Sequence, residues 1–342
     1  MNTFPISIVA CACVLAGSFA RGAEIVDQAN ASRPAPIGGV ERVDPRLDAL
    51  VPLDAVPEIL AEGHEWTEGP VWVPALGGVL YSDIPNNAVY LWRDGEAASI
   101  WLQPSGYTGA VARGGESGSN GLTLDRGGRL VLAQHGDRRL ARLDAPWEAP
   151  EATFATLVGD FEGMRFNSPN DVVQRSNGDF YFTDPPYGLE RGMDDPAKEL
   201  DLQGVYRLTP NGEVSLLVDD LSRPNGIAFS PDESILYVAS SDGRNQPVVM
   251  AYEVAPDGSL GGGRVFYESW GDGMAVDQQG NLYIAGPQNG VLIVSPDGEH
   301  MGSIVTTQST SNCAFGDDGS TLYITADMYL LRIRLTAKGV GF

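Results

Sequence analysis

The chain has 342 residues, with 22 Lys and Arg against 45 Asp and Glu, a formal charge of −23. That balance argues against nucleic acid and anionic membranes as partners, because phosphate surfaces demand concentrated positive charge. With 43% hydrophobic and 20% charged residues, 42 Gly and 23 Pro, the composition supports a large core with many turns and excludes disorder, collagen and coiled coil.

The long apolar stretch from Pro5 to Ala20 lies at the N-terminus and reads as a secretory h-region, although no Lys or Arg precedes it. Small-residue cleavage sites at Ser18-Phe19-Ala20 and Arg21-Gly22-Ala23 predict a signal peptide over 1–23 and a periplasmic or secreted protein. No later stretch reaches the roughly 18 apolar residues of a membrane span. Cys11 and Cys13 fall inside the predicted signal, so the mature chain keeps Cys313 alone, which reads as a buried small hydrophobe and forms no internal disulfide. Residues 24–56 contain Pro34, Pro36, Pro45 and Pro52 and are expected to form an arm lying on the domain that follows, disordered at its beginning.

From residue 57 onward one pattern recurs: an Asn, Asp or Glu, a small residue, an alternating strand, a Gly-centred turn, then a second strand rich in Leu, Tyr and Ile. The copies begin at Glu68, Asn120, Asn170, Asn225, Asp272 and Asn312, a spacing of roughly 49 residues that matches a four-stranded propeller blade. Six copies predict an all-β fold over 57–342, a six-bladed β-propeller. Tyr329 to Leu335 supplies a third strand for the last blade and leaves its outer position empty. Glu58 to Ala61, an N-terminal strand, is expected to fill that position and close the ring.

In a propeller the first strand of each blade lines the axis, so the six leading residues should meet at one mouth of the channel. The second-strand ends, Asp83, His135, Asp184, Ser241 and Asp327, should join them. Taken singly, Asn-Gly and Asp-Gly also read as ordinary turn dipeptides. Six oxygen donors around one axis go beyond what turns require, and they suit a hard cation. Ca²⁺ is the expected metal, with Mn²⁺, Mg²⁺ or Zn²⁺ able to substitute. Gln103 to Ser119 and Pro186 to Gln203 are the expected lids, and Tyr107, Tyr187 and Met193 on them read equally as substrate contacts or as ordinary loop packing. His64 and His300 read as structural.

Several motifs resemble the gluconolactonase, senescence marker protein-30 and luciferin-regenerating enzyme group of six-bladed propellers. They are Thr67-Glu68-Gly69-Pro70-Val71-Trp72, Ser168-Pro169-Asn170-Asp171, Thr183-Asp184-Pro185-Pro186-Tyr187-Gly188, Pro224-Asn225-Gly226 and Asp272-Gly273-Met274. The resemblance implies metal-dependent hydrolysis of a sugar lactone or related cyclic ester. It also implies Glu68, Asn225 and Asp272 as metal ligands, with Asn170 as ligand or substrate contact. Asp272 is the candidate catalytic residue that orients or deprotonates water. Asn120 and His135 are the remaining substrate-binding candidates, with proton transfer or a structural hydrogen bond as the other readings of His135. Gln134-His135-Gly136-Asp137-Arg138-Arg139 looks like the Glu-His-Gly-x-Arg-Arg pattern of the bacterial lactonase branch, with Gln134 in place of the acid. An aryl-ester or organophosphate hydrolase of the paraoxonase or diisopropylfluorophosphatase type, and a non-catalytic secreted binding propeller, are the competing readings. No Gly-x-Ser-x-Gly elbow marks a serine hydrolase, and no Gly-x-Gly-x-x-Gly after a strand marks a dinucleotide site.

Overall fold

The computed structural model describes residues 35–242, 247–286 and 290–342. The predicted signal peptide and the beginning of the arm lie outside the described residues. The regular secondary structure of the described chain is nearly all strand and forms six antiparallel blades; four run outward from the axis in chain order, and the fifth and sixth take an outer strand from the N-terminal segment. The innermost strands are Thr67–Val73, Ser119–Leu124, Val172–Gln174, Pro224–Phe229, Met274–Val276 and Thr310–Gly316. Each contacts the next around the ring, and the last contacts the first.

Repetition in the sequence becomes repetition in the core. Tyr81, Tyr181, Tyr237, Tyr283 and Tyr323, each on the second strand of its blade, are buried between blades. Their hydroxyls reach His64, the Gly258 carbonyl, Asp277 and Asp317 in four of the five cases. A buried aromatic of this size contributes about 1.5–3 kcal/mol through area removed from water, and its hydroxyl needs a partner.

Ring closure occurs where the alternation of the last blade requires it. Glu58–Ala61 pairs antiparallel with Tyr329–Arg334, with Glu58 opposite Arg332. Arg332 joins Glu58 at 2.9 Å and Asp94 of the first blade at 2.9 Å. The description of the blades as four-stranded needs one correction. Gly39–Arg42 adds a fifth strand to the fifth blade, pairing with His300–Val305 so that Val40 faces Ile304. The arm is therefore part of the propeller from this strand onward. An open outer edge invites pairing, and the turn after this strand anchors it by burying Leu47, Leu50 and Val51 against Met301 and Ile304.

Candidate active site

All six repeat leaders are buried at one end of the channel, from 2% exposed for Asn170 to 7% for Asp272 and Asn312. Asn312 Nδ2 donates to Glu68 Oε2 at 3.2 Å, across the junction of the last and first blades. Asn225 Nδ2 donates to Ser241 Oγ at 3.1 Å, and Asp272 accepts a further hydrogen bond from Asn225. Asn170 Nδ2 lies 3.4 Å from His135 Nε2.

The small residue after each leader has a packing role. A Cβ on Gly121 would lie 2.7 Å from the Asn170 carbonyl oxygen, and one on Gly226 would lie 1.9 Å from the Asp272 carbonyl oxygen. Neither glycine needs a left-handed backbone, unlike Gly128, Gly212 and Gly258 in the hairpin turns, where φ is +71°, +85° and +85°. Close approach of the next blade is what excludes a side chain. In the third blade Asp171 takes the small residue's place and bridges with its carboxylate, accepting from the amides of Val172 at 2.9 Å and Ile227 at 3.2 Å.

The second-strand ends divide into two groups. His135 and Ser241 stand beside the leaders. Asp83 instead accepts from the amides of Glu65 and Trp66, and Asp184 from those of Asn167 and Ser168, at 2.8 and 2.7 Å. These two carboxylates hold the chain entering a first strand and do not join the ring. Asp327 occupies a turn with φ +53°, and its carbonyl accepts from the Thr67 amide. His64 contacts Tyr81 and His300 bonds near Gly302, both away from the ring. Met193 is exposed, whereas the Tyr187 hydroxyl sits 2.5 Å from Ser241 Oγ.

Sequence reading missed Glu116. Carried by the connection between the first and second blades, it brings Oε2 to 3.2 Å from His135 Nδ1. The available signal was its position: one acid in a Gly- and Ser-rich run just before Asn120. Gln134 points elsewhere, donating to the Ser105 carbonyl and accepting from Arg139. Arg113, on the same connection, donates to the carbonyls of Gly136 and Gly188 and so straps this loop to the next wall.

The electrostatics of the ring are those of crowded anions. Burial pushes the Glu68 carboxyl up to about 8, and the negative charges of Asp171 and Glu116 add to the rise. Burial, then Glu68, Glu116 and Asp171, raise Asp272 well above the carboxylate range. Asn120 Oδ1 is buried and has no hydrogen-bond partner. An acceptor-rich, all-oxygen set with unneutralised carboxylates fits a hard divalent cation. Among the described residues no group of three or more His, Cys, Asp and Glu forms a ligand cluster. Two carboxylates among several amides make up this set, and that mixture is chemically distinct from a His- or Cys-rich site. Below the ring the channel widens into a cavity of about 340 Å³ lined by Val71, Leu122, Val173, Phe229, Ala275 and Phe315. Thr123, Gln174, Ser230 and Glu233 also line it, and it reaches Asp171 and Asn312 at the ring.

Residues 66–327 match the family model described as the SMP-30/gluconolactonase/LRE-like region. A gluconolactonase of Zymomonas mobilis is 38% identical over 318 residues, which covers 89% of this chain and 88% of that protein. The structure of a gluconolactonase from Xanthomonas campestris superposes with a TM-score of 0.77 at 32% identity, covering 89% of this chain and 98% of the other. A calcium-binding regucalcin from Agrobacterium tumefaciens shares the fold, with a TM-score of 0.63 at 19% identity over 90% of this chain and 96% of its own.

Proposed function

The chain belongs to the SMP-30/gluconolactonase/LRE-like family, and from that premise we propose that it is a lactonase that opens a sugar lactone or a related cyclic ester in a cation-dependent reaction at the leader ring. The observation that carries this reading is the ring itself: Glu68 and Asp272, from the first and fifth blades, are buried among side-chain amides, and the charges that act on them are those of other carboxylates.

Glu68, Asn170, Asn225 and Asp272 would hold the ion, and their hard oxygen donors favour Ca²⁺. When bound, such an ion supplies Lewis-acid polarisation and charge stabilisation at the lactone carbonyl. Asp272 orients the attacking water and takes its proton as the new C–O bond forms at the carbonyl carbon. The ring C–O bond then breaks, and that proton passes to the departing alkoxide, giving the open hydroxy acid. Asn120, with its unpaired buried Oδ1, accepts from a sugar hydroxyl, and His135 and Asn170 line the neighbouring wall. The apolar run at 5–20 and the small-residue sites after it support a periplasmic or secreted location.

A pH-stat screen of aldonolactones, with paraoxon-type esters alongside, tests this directly. Turnover of lactones should vanish with chelator and return with added Ca²⁺. Chelator-resistant lactone opening, or hydrolysis of the aryl esters alone, would overturn the assignment.

A further inference from the structure

Glu116 belongs to no repeat position, yet it is the carboxylate that meets His135. The imidazole is wholly buried, and Glu116 Oε2 lies 3.2 Å from its Nδ1; among the described residues that approach falls outside hydrogen-bond geometry, and Nδ1 has no other partner. A carboxylate oxygen at this distance repels a bare ring-nitrogen lone pair and attracts an N–H, so the contact favours the hydrogen on Nδ1. A neutral imidazole has one N–H; with Nδ1 protonated, Nε2 is a bare acceptor. The group facing Nε2 is the Asn170 side-chain amide, at 3.4 Å. Only its NH₂ end can satisfy that acceptor, and this leaves the carbonyl oxygen free for the axis. The opposite tautomer would turn the amide over and present two N–H donors where a cation would bind. Asn225 shows the same arrangement with a different partner, since Ser241 Oγ engages its NH₂ end.

We propose that Glu116 is a positioning residue: through the tautomer of His135 it fixes the Asn170 amide with its oxygen toward the axial cation. The proposal rests on the reading of Asn170 as a ligand. It also links the loop before Asn120, tied down by Arg113, to ion affinity at a ring that Glu116 does not itself join. With Gln134 turned toward Ser105 and Arg139, Glu116 provides the carboxylate beside His135.

The test uses the whole chain and compares Glu116→Ala with Glu116→Gln. The sequence contains three His, so ¹⁵N spectra of the metal-free protein above the imidazole titration range resolve their tautomers, with His135→Gln assigning the signal. Wild type should show His135 protonated at Nδ1. Glu116→Ala should shift it toward Nε2–H and weaken calorimetric Ca²⁺ binding roughly tenfold or more, the usual effect of losing a group that orients a ligand. In Glu116→Gln the amide oxygen still accepts from Nδ1–H, so the tautomer and most of the affinity should persist although the charge is gone. An Nε2–H tautomer in wild type would overturn the proposal. So would equal affinity losses in the two variants, which would mark a purely coulombic effect, or no loss in Glu116→Ala. Absence of lactone turnover with tautomer and Ca²⁺ binding intact would count against the lactonase reading and leave this one standing.

Discussion

Replacing Gly226 with Ala tests why the ring contains glycines at all. The new methyl would lie 1.9 Å from the Asp272 carbonyl oxygen and 2.8 Å from the Gly273 Cα, both main-chain atoms that no rotamer change can move. Reaching ordinary contact requires the fourth and fifth blades to separate by about 1.5 Å at this point. Overpacking of this kind costs about 1–3 kcal/mol, and a backbone obstacle places it at the upper end. For a domain of this size about 3 kcal/mol lowers Tm by roughly 5 °C. The same displacement moves Asp272 by a sizeable fraction of an ångström, enough to reduce kcat about a hundredfold if the residue is held in reacting geometry. Calorimetry and lactone turnover measure the two effects on one preparation. Gly128→Ala is the control: its φ of +71° imposes strain of about 1–2 kcal/mol, but nothing lies within 4 Å and kcat should not change. Wild-type Tm and kcat in Gly226→Ala would refute the packing argument and return Asn225-Gly226 to the status of an ordinary turn.

Leu47→Ala should cost about 2–5 kcal/mol in chemical denaturation, because the side chain is fully buried with Met301 and Ile304 in the core under the fifth blade; a loss near zero would show that the arm is not part of the propeller. Burial raises the Asp184 carboxyl to about 7 from 3.8 despite two backbone donors, so the folded protein favours its neutral form. Its stabilising contribution is complete below about pH 4 and is lost as pH rises through about 7, with a slope of at most roughly 1.4 kcal/mol for each step of one in pH. Asp184→Asn, neutral at every pH, should therefore become progressively more stable relative to wild type between about pH 4 and 7; a difference that stays constant across that range would refute the assignment.

Much of this architecture is legible in one dimension because a propeller is a repeat, and each repeat must solve the same packing problem. The Leu-Tyr of the second strand is buried between blades each time it occurs, so its recurrence at Tyr237, Tyr283 and Tyr323 marks blades directly. Closure by Glu58–Ala61 follows from counting strands in the last blade. The fifth strand on the fifth blade was not legible, because Gly39–Arg42 is short, half-buried and outside the repeat.

The order of residues alone determined which groups converge, since a leader at a constant position in every blade has nowhere to go except the axis. It could not assign roles among the second-strand ends: Asp83 and Asp184 carry the same functional group as Asp272, and only the neighbouring backbone amides show that they secure chain entry. Nor could it find Glu116, whose meeting with His135 depends on the path of an irregular loop. Strand periodicity transmits position along the chain, whereas hydrogen-bond partners across loops arise only once separate segments are packed together.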